Sequence, residues 1–432
     1  MSEIKRDFYL HQLIDSKGDG QIKIITGLRR CGKSYLLHNL FGNFIKANGV
    51  NPSNIITFQL NKKKDAAFRR AIPLSNELER RIALIKSGVI YIFIDEIQLC
   101  LPSVDPEDPS KLITFYDVLS DYQGEGGFDV YVTGSNSHLL SKDVATDFRG
   151  KGKIIEIHPL SFSEYHAYKN GEVSKDYGDY FTFGGMPYQV VHCHGDEEKE
   201  KYLKDLFQET YIKDIGDNVK AEREDVLNEL VLDLCSSVGS LTNPNKIAKT
   251  LKSEKNISVT DDTIASYLSG CVNSFLFSEC RRYDVKGKKY FSYPSKYYCA
   301  DVGLRNCWLN LRQQEETHIM ENIIFSDLVS RGLYPDVGVV DIFRKDEDGK
   351  TSRLTTEIDF VINAPNGRVY IQSVFNVDDP AKKAKELRPL FNIRDYRKRI
   401  VITRSTPKPY VDEDGITYCS ITDFLLEPSL ID

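Results

Sequence analysis

A glycine-rich segment near the N-terminus has the residue types and spacing that bind phosphate groups. It reads Gly27-Leu28-Arg29-Arg30-Cys31-Gly32-Lys33-Ser34 and fits the pattern G-x-x-x-x-G-K-[ST]. Glycines let backbone N–H groups turn inward around phosphate oxygens, and the N-terminus of a following helix adds a favourable dipole. We expect this segment and Tyr35 to bind a nucleotide, with the Lys33 ammonium at the β- and γ-phosphates and the Ser34 hydroxyl on Mg²⁺.

Two adjacent carboxylates, Asp95 and Glu96, follow the apolar run Val89–Ile94, which is typical of a buried strand. Carboxylates at the C-terminal end of such a strand lie at the crevice where α/β sheets bind ligands. We expect Asp95 to bind Mg²⁺ together with Ser34. We expect Glu96 to orient or deprotonate the water that attacks the terminal phosphate. The alternative is a solvated acidic turn.

Polar and cationic residues also follow the next predicted strand, Asp129–Thr133. We expect Asn136 to contact the γ-phosphate or the water, and an Asn that caps the next helix is the alternative. Arg149 and Lys151 precede the last strand of this region. A cation there would stabilise the charge of the transition state, in one arrangement across the subunit boundary of a homo-oligomer. A surface turn is an equally good interpretation.

The elements that must position these residues alternate between β-branched runs and helical stretches over residues 20–160. This alternation predicts βαβ units on a parallel sheet, an α/β fold. The predicted strands are Ile22–Thr26, Asn54–Leu60, Val89–Ile94, Asp129–Thr133 and Lys153–Ile157. The predicted helices are Lys33–Ala47, Ser75–Lys86 and Lys111–Tyr122, and the proline-rich stretch Leu101–Ser110 is predicted to be a loop.

The order of these elements bears on the identity of the nucleotide. A whole strand, Asn54–Leu60, lies between the phosphate-binding segment and the carboxylate pair, and a glutamate follows the aspartate. This arrangement looks like the P-loop ATPases with additional strands rather than the GTPase branch. The sequence contains no Asn-Lys-x-Asp motif for guanine. We therefore predict ATP, with Mg²⁺, as the cofactor.

The composition of the 432 residues excludes several classes of protein. With 41% hydrophobic and 28% charged residues, a predominantly disordered chain is excluded. The net charge of −6 argues against coating nucleic acid by bulk charge but permits a local basic face. No run approaches the ~20 apolar residues of a membrane span, and the N-terminus lacks a signal-peptide pattern. With nine cysteines and no CxxC pair, we predict reduced thiols in a soluble, cytoplasmic protein.

The middle of the chain changes to short helices followed by a basic hairpin. Asn243–Leu251 and Asp261–Phe277 are predicted helices, and the hairpin is predicted around Asp284–Lys289. A helix–turn–helix followed by a hairpin is a winged-helix pattern. The candidate DNA-binding cations are Arg281, Arg282, Lys286, Lys288 and Lys289. The alternative, with equal weight, is a packing or dimerisation module whose basic wing is solvated.

Several segments together resemble the prokaryotic AAA-type ATPases, related to the archaeal ATPase group, that carry a C-terminal domain of unknown function. They include ITGLRRCGKSYLL, FIDEIQ, VTGSNSHLLS, FGGMPYQV, KYYCADVGLRN, MENIIFSDLVSRG and EIDFVI. The resemblance implies an ATP-binding core, a winged-helix region and a C-terminal domain similar to PD-(D/E)xK nucleases. The family usually has Gly-Arg where this chain has Gly150-Lys151, so Arg149 becomes the candidate arginine finger.

The nuclease-like domain implied by this resemblance lacks part of its catalytic set. Such domains place a helix Glu, a strand-end Asp and an E-x-K strand around Mg²⁺. Glu321 and Asp359 match the first two positions, whereas Gln372 and Val374 occupy the E and K positions. Glutamine is a weaker metal ligand and valine cannot activate water. We therefore predict a degenerate nuclease site at Glu321, Asp359 and Gln372.

Taken together, the sequence predicts four regions: a P-loop ATPase domain over 1–170, a helical linker or lid over 171–224, a winged-helix domain over 225–312, and a small, inactive restriction-endonuclease-like α/β domain over 313–432. The leading hypothesis is an ATPase that couples nucleotide state to the later modules, with DNA as a candidate partner. One alternative is a nucleotide-gated switch or scaffold with slow hydrolysis and no DNA role. Another is an ATP-gated nuclease.

Overall fold

A computed structural model describes residues 3–135, 152–287, 289–291, 294–312, 315–345, 351–364, 367–375, 379–393, 395 and 397–431. These residues divide into two compact units. The N-terminal unit comprises Glu3–Pro159 together with Asn273–Phe275. The C-terminal unit comprises residues 160–272 and the described residues from Leu276 onward. Within the described residues, no helix combines the length and apolar character needed to cross a membrane.

The described part of the N-terminal unit is built on a parallel sheet of five strands. They are β1 (Ile22–Gly27), β2 (Ile55–Gln59), β3 (Ile90–Asp95), β6 (Phe128–Thr133) and β7 (Gly152–Ile157), in the spatial order β2-β3-β6-β1-β7. All five agree with the predicted strands to within a residue or so at each end. Because all strands run the same way, the C-terminal ends of β1, β3 and β6 lie at one edge of the sheet.

The helices of this unit are α1 (Asp7–Asp15), α2 (Lys33–Tyr35), α3 (Gly42–Ala47), α4 (Ala71–Ile82) and α5 (Phe115–Ser120). A π-helical stretch, Leu36–Phe41, joins α2 to α3, so the chain is helical throughout the predicted range Lys33–Ala47. Short 3₁₀ turns occupy Pro52–Asn54, Lys63–Phe68 and Ile97–Leu99.

Two predictions within this unit were wrong. The predicted loop Leu101–Ser110 contains β4 (Ser103–Val104), which pairs with β5 (Leu112–Ile113) as a small antiparallel hairpin. Leu112 and Ile113 therefore belong to a strand rather than to the predicted helix Lys111–Tyr122. The helix α5 begins later because Thr114 caps it: its side chain accepts a hydrogen bond from Asp117 N, and the Asp117 carboxylate accepts one from Thr114 N.

The C-terminal unit begins with helices and continues with two sheets. Its helices are α6 (Phe162–Lys169), α7 (Val173–Phe183), α8 (Pro187–His192), α9 (Asp196–Leu206), α10 (Lys213–Val219), α11 (Glu224–Ser236), α12 (Pro244–Lys255), α13 (Asp261–Asn273), α14 (Val302–Trp308), α15 (Glu316–Ser330), α16 (Pro380–Phe391) and α17 (Ile421–Leu426). A π-helical stretch, Phe207–Ile212, joins α9 to α10, and Pro428–Leu430 is a 3₁₀ turn.

The smaller described sheet has three antiparallel strands that follow α11. They are β8 (Leu241–Thr242), β9 (Phe277–Cys280) and β12 (Ser295–Cys299), in the order β8-β12-β9. Along the chain, α12 and α13 lie between β8 and β9. The central strand β12 thus pairs with a strand that precedes these two helices and with one that follows them.

The larger described sheet has eight strands in the order β11-β10-β13-β14-β15-β16-β18-β17. Their bounds are β10 (Arg282–Asp284), β11 (Lys289–Tyr290), β13 (Asp336–Lys345), β14 (Thr351–Ala364), β15 (Gly367–Ser373), β16 (Lys398–Thr403), β17 (Tyr410–Val411) and β18 (Ile416–Ser420). The predicted basic hairpin is β10–β11, and β10 also pairs in parallel with β13. Backbone hydrogen bonds therefore cross residue 312, where we expected a domain boundary.

Two segments of the family resemblance meet around the buried carboxylate of Asp301. Asp301 caps α14 by accepting from Leu304 N at 3.0 Å, and it accepts from Gly185 N at 2.6 Å. Gly184 has φ +68° and a Cβ there would lie 2.2 Å from Asp301 Oδ1, so both its backbone and the space around it require glycine. Burial raises the pKa of Asp301 to about 6. Asp301 thus holds the backbone at Gly185 and the first turn of α14 in place within the C-terminal unit.

We expect Asp301→Ala to lower the free energy of unfolding of the C-terminal unit by about 2–4 kcal/mol, because it removes a helix cap and leaves a buried N–H without an acceptor. Denaturant unfolding followed by circular dichroism measures the loss. Asp301→Asn keeps an acceptor oxygen and is expected to lose less. An equal loss in both variants would contradict the role of these hydrogen bonds.

All nine cysteines are buried, and each is a free thiol. Cys31 and Cys100 lie in the N-terminal unit, and the others lie in the C-terminal unit. The structure thus contains no disulfide among these residues.

Candidate functional site

The phosphate-binding segment forms the turn between β1 and α2. Gly27 has φ +130°, and a Cβ at this residue would lie 2.0 Å from the carbonyl oxygen of Ile157 at the end of β7. Gly32 has φ +104° at the N-cap of α2, a conformation that side chains other than glycine rarely adopt. Both glycines of the motif are therefore required by the backbone, one by close packing as well as by its φ.

Lys33 is buried, with 4% of its surface exposed, and its side chain folds back over this turn. Its ammonium donates to the carbonyl oxygens of Gly27 and Leu28, each at 3.0 Å. The ammonium therefore lies inside the loop whose backbone N–H groups would bind a phosphate group. Around it, Leu28 and Cys31 are buried, whereas Arg29, Arg30 and Tyr35 are exposed.

Arg6 braces this loop from a part of the sequence that no motif pointed to. It is 5% exposed, and its guanidinium donates to the carbonyl oxygens of Cys31 at 3.2 Å and of His158 at 2.7 Å. The Cys31 thiol donates to the Ile157 carbonyl at 3.3 Å. The phosphate-binding turn is thus fastened to the end of β7 from two sides.

The carboxylate of Asp95 lies at the end of β3, with 1% of the residue exposed. It accepts hydrogen bonds from Ser34 Oγ at 2.8 and 2.9 Å and from Thr133 Oγ1 at 2.5 Å. The structure therefore brings together the predicted metal pair, Ser34 and Asp95. Thr133, at the end of β6, was missed, although a polar residue that ends a buried strand beside β3 was an available signal.

Glu96 has φ +57°, a left-handed conformation that is uncommon for a residue other than glycine. Its N–H donates to Thr133 Oγ1 at 3.0 Å. Its carboxylate accepts from Ser135 Oγ at 3.1 Å and from the side-chain amide of Gln98. A strained backbone held by three side chains fixes where this carboxylate points. Gln98 and Ser135 are site residues that sequence reasoning missed.

We expect Ser135→Ala to lower kcat for ATP hydrolysis by about 3- to 10-fold with little change in KM, since misplacing a catalytic group slows the reaction without weakening ground-state binding. Steady-state kinetics measures both constants. The exposed Ser110, changed to Ala, is the matched control. Unchanged kcat in Ser135→Ala would show that Ser135 does not position Glu96.

Two predicted catalytic residues, Asn136 and Arg149, lie outside the described residues, as do Lys151 and Lys288. Their roles stay predictions. Tyr35, predicted to bind nucleotide, donates from its hydroxyl to Glu3 at 2.8 Å, and burial and this hydrogen bond raise its pKa to about 12.

The sequence of this chain matches family models and known proteins. Residues 19–166 match a family model described as an AAA domain, and residues 174–315 match one described as a domain of unknown function. An uncharacterized protein of Haemophilus influenzae is 32% identical over 98% of this chain and 99% of its own length. The chain belongs to the family of that protein. Its N-terminal unit carries an AAA-type, ATP-binding P-loop domain.

Two further matches are more distant than the Haemophilus protein. An uncharacterized protein of Methanocaldococcus jannaschii is 29% identical to the chain over 92% of its length and 81% of the relative. The solved structure of a Walker-type ATPase of Pyrococcus abyssi covers 71% of the chain and 96% of that protein, with 13% identity and a TM-score of 0.49.

Two of the candidate DNA-binding cations, Arg282 and Lys286, contact the eight-stranded sheet. Arg282 Nε lies 3.0 Å from Glu357 Oε1, and the Lys286 ammonium donates to the Asp341 carbonyl at 2.6 Å. Arg281 lies 3.5 Å from Glu279 with a largely exposed side chain, and Lys289 is exposed.

The predicted degenerate nuclease residues come together in the C-terminal unit, and a lysine lies among them. Lys296, from β12, places its ammonium 2.9 Å from Glu321 Oε1 and 3.5 Å from Asp359 Oδ1. Although burial lowers the pKa of Lys296, the charges of Glu321 and Asp359 raise it above its ordinary value overall. Burial and the charge of Glu321 raise the pKa of Asp359. Lys296 was not among the residues predicted for this cluster.

Proposed function

We propose that the chain hydrolyses ATP with Mg²⁺ at the edge where β1, β3 and β6 end. The observation that carries this proposal is the contact of Ser34 with Asp95, beside the buried ammonium of Lys33 and next to Glu96. A hydroxyl and a carboxylate are the hard oxygen ligands that Mg²⁺ prefers, so this pair fits the ion. When bound, Mg²⁺ would neutralise charge on the phosphate oxygens.

The chain's own residues account for the remaining steps. Lys33 exchanges its bonds with loop carbonyls for phosphate oxygens, and the N–H groups of the turn bind the same phosphates. Glu96, held by Ser135 and Gln98, accepts a hydrogen bond from the attacking water and so orients it. Asn136 would contact the γ-phosphate, and Arg149 would stabilise transition-state charge, across a subunit boundary if the chain forms homo-oligomers.

We further propose that residues 225–312 are a winged-helix region, preceded by a helical lid over 171–224. The order of elements α11-β8-α12-α13-β9-β12, with β12 central in its sheet, supports this assignment. The hairpin β10–β11 takes the place of the wing. Because its cations Arg282 and Lys286 already lie against the sheet, Arg281, Lys288 and Lys289 remain the candidates for phosphate contacts with DNA.

For residues 313–432 we propose a restriction-endonuclease-like domain without its chemistry. The order α15-β13-β14-β15-α16-β16 supports it, with antiparallel pairing among β13, β14 and β15 and parallel pairing between β15 and β16. Glu321 on α15, Asp359 on β14 and Gln372 on β15 then occupy corresponding positions of the degenerate site.

A second candidate function is a nucleotide-gated switch or scaffold with slow hydrolysis and no DNA role. The contacts of Arg282 with Glu357 and of Lys286 with Asp341 favour it, because they use the wing's cations for packing. ATP turnover measured with and without DNA separates the two functions. DNA stimulation that falls in Arg281→Ser/Lys289→Ser supports a DNA-coupled ATPase, whereas turnover indifferent to DNA supports the switch.

The same assay, repeated over a range of protein concentrations, tests whether the active form is a homo-oligomer. Activity per chain that rises with concentration supports assembly and a cation acting in trans. Activity per chain that stays constant contradicts it over the range tested. Failure of the full chain to hydrolyse ATP at every concentration, with or without DNA, would overturn the ATPase proposal itself.

A further inference from the structure

The cluster of Lys296, Glu321 and Asp359 joins three elements of the C-terminal unit. Lys296 lies on the central strand of the three-stranded sheet, Glu321 lies on α15, and Asp359 lies on β14 of the larger sheet. The three side chains expose only 8%, 12% and 13% of their surface. A buried ammonium is costly unless carboxylates compensate it, so this contact links β12 to both other elements.

Two further donors of the chain hydrogen-bond to the same two carboxylates. The Tyr298 hydroxyl donates to Glu321 Oε1 at 2.6 Å, and Ser373 N donates to Asp359 Oδ2 at 2.9 Å. Glu321 Oε1 and both oxygens of Asp359 therefore accept hydrogen bonds from within the chain. A divalent cation that bridged these two carboxylates would have to displace the Lys296 ammonium, which already lies 2.9 Å from Glu321 Oε1 and 3.5 Å from Asp359 Oδ1.

The segment that would complete a nuclease site supplies neither a carboxylate nor a lysine at residues 372 and 374. Gln372 accepts from Asp359 N through its side-chain oxygen at 3.4 Å, a long hydrogen bond within the sheet. Val374 is 2% exposed and belongs to the apolar core with Leu387 and Val401. The position where related domains place a lysine therefore faces a hydrophobic core, and the only cation close to Asp359 among the described residues comes from β12.

The nuclease-like fold implies a divalent metal, but these residues do not fit one. We propose that the Lys296 ammonium takes the place of the divalent cation, so that the former metal site is an internal ion pair that ties β12 to α15 and β14. The inference concerns the proposed nuclease-like domain and does not depend on ATP hydrolysis. It replaces the ATP-gated nuclease hypothesis with a structural role for Glu321 and Asp359.

Counting bound Mn²⁺ per chain tests the proposal on the full-length protein. With saturating ADP, wild type is expected to bind Mn²⁺ at the nucleotide site alone. Lys296→Ala leaves two carboxylates without a cation and is expected to bind an additional ion, which is lost again in Lys296→Ala/Glu321→Gln. Electron paramagnetic resonance of free Mn²⁺ measures the stoichiometry. Lys201→Ala, which removes an exposed lysine of α9 in the same unit, is expected to behave like wild type.

Three results would overturn the proposal. The first is an additional Mn²⁺ in wild type that disappears in Glu321→Gln. The second is Mn²⁺-dependent DNA cleavage that disappears in Asp359→Ala. The third is folded Lys296→Ala that gains no ion. If Lys296→Ala does not fold, Lys296→Gln provides the same comparison, and the wild-type count remains decisive. Because the readout is ion stoichiometry, failure of the ATPase proposal would leave this result interpretable.

Discussion

Glu96→Gln is expected to bind ATP as well as wild type and to hydrolyse it about 10²–10⁴-fold more slowly, since an amide cannot accept the proton of the attacking water. The amide keeps the size of the side chain and one acceptor oxygen for Ser135 and Gln98. ATP affinity measured by a fluorescent analogue and turnover measured by phosphate release give the two quantities separately.

The matched control for this variant is Glu107→Gln, which changes an exposed carboxylate in the same unit. It is expected to retain wild-type turnover. Turnover in Glu96→Gln equal to that of wild type would remove Glu96 from the reaction. A loss of ATP affinity together with turnover would instead indicate that the left-handed turn at residue 96 had been disturbed.

Lys33→Ala is expected to lose nucleotide affinity by about 2–5 kcal/mol, which is roughly 30-fold or more in Kd. The ammonium is buried inside the loop, and its removal also takes away the donor to the Gly27 and Leu28 carbonyls. Isothermal titration with ATP and Mg²⁺ measures the change. Turnover at subsaturating ATP should fall at least as much.

Lys46→Ala is the control because Lys46 is exposed on α3, in the same helical stretch that follows the loop. It is expected to bind ATP like wild type. Wild-type affinity in Lys33→Ala would place the nucleotide elsewhere. Weak binding in both variants would point to a general effect of charge on the unit rather than to a phosphate contact.

The ATP-binding part of the site was predictable because its signals are local. The glycines around residues 27–32 and the carboxylates after Val89–Ile94 mark strand ends within a few residues, and all five parallel strands followed the predicted runs. The C-terminal ends of parallel strands lie at a common edge of the sheet. The sequence alone therefore predicts that Ser34 and Asp95 lie close together.

The rest of the site depends on contacts between distant residues that carry no local signal. Arg6 supports the loop from a different helix end, and Thr133 contacts Asp95 only because β6 lies between β1 and β3. The described donors to the carboxylates of Asp95 and Glu96 are Ser34, Thr133, Ser135 and Gln98, and the role of Asn136 stays a prediction.

The cluster of Lys296, Glu321 and Asp359 shows the same limit. The sequence itself has Gln372 and Val374 at the positions predicted for the E and K of a nuclease site. Lys296, however, reaches Asp359 from β12, which lies within the range predicted for the winged-helix domain, 225–312. A side chain on a central strand can serve a neighbouring sheet, and only the fold reveals this.

Because all nine thiols are buried, the rate at which they are modified measures how often the native protein opens. Burial raises the pKa of Cys31 and of Cys271, so neither a thiolate nor a solvent path is offered to an alkylating reagent in the closed state. Modification then proceeds only through local or global opening, at a rate set by its free energy. Mass spectrometry that locates the modified cysteines would give the opening rate of each unit separately. Cys31 and Cys100 report on the N-terminal unit, and the other thiols report on the C-terminal unit.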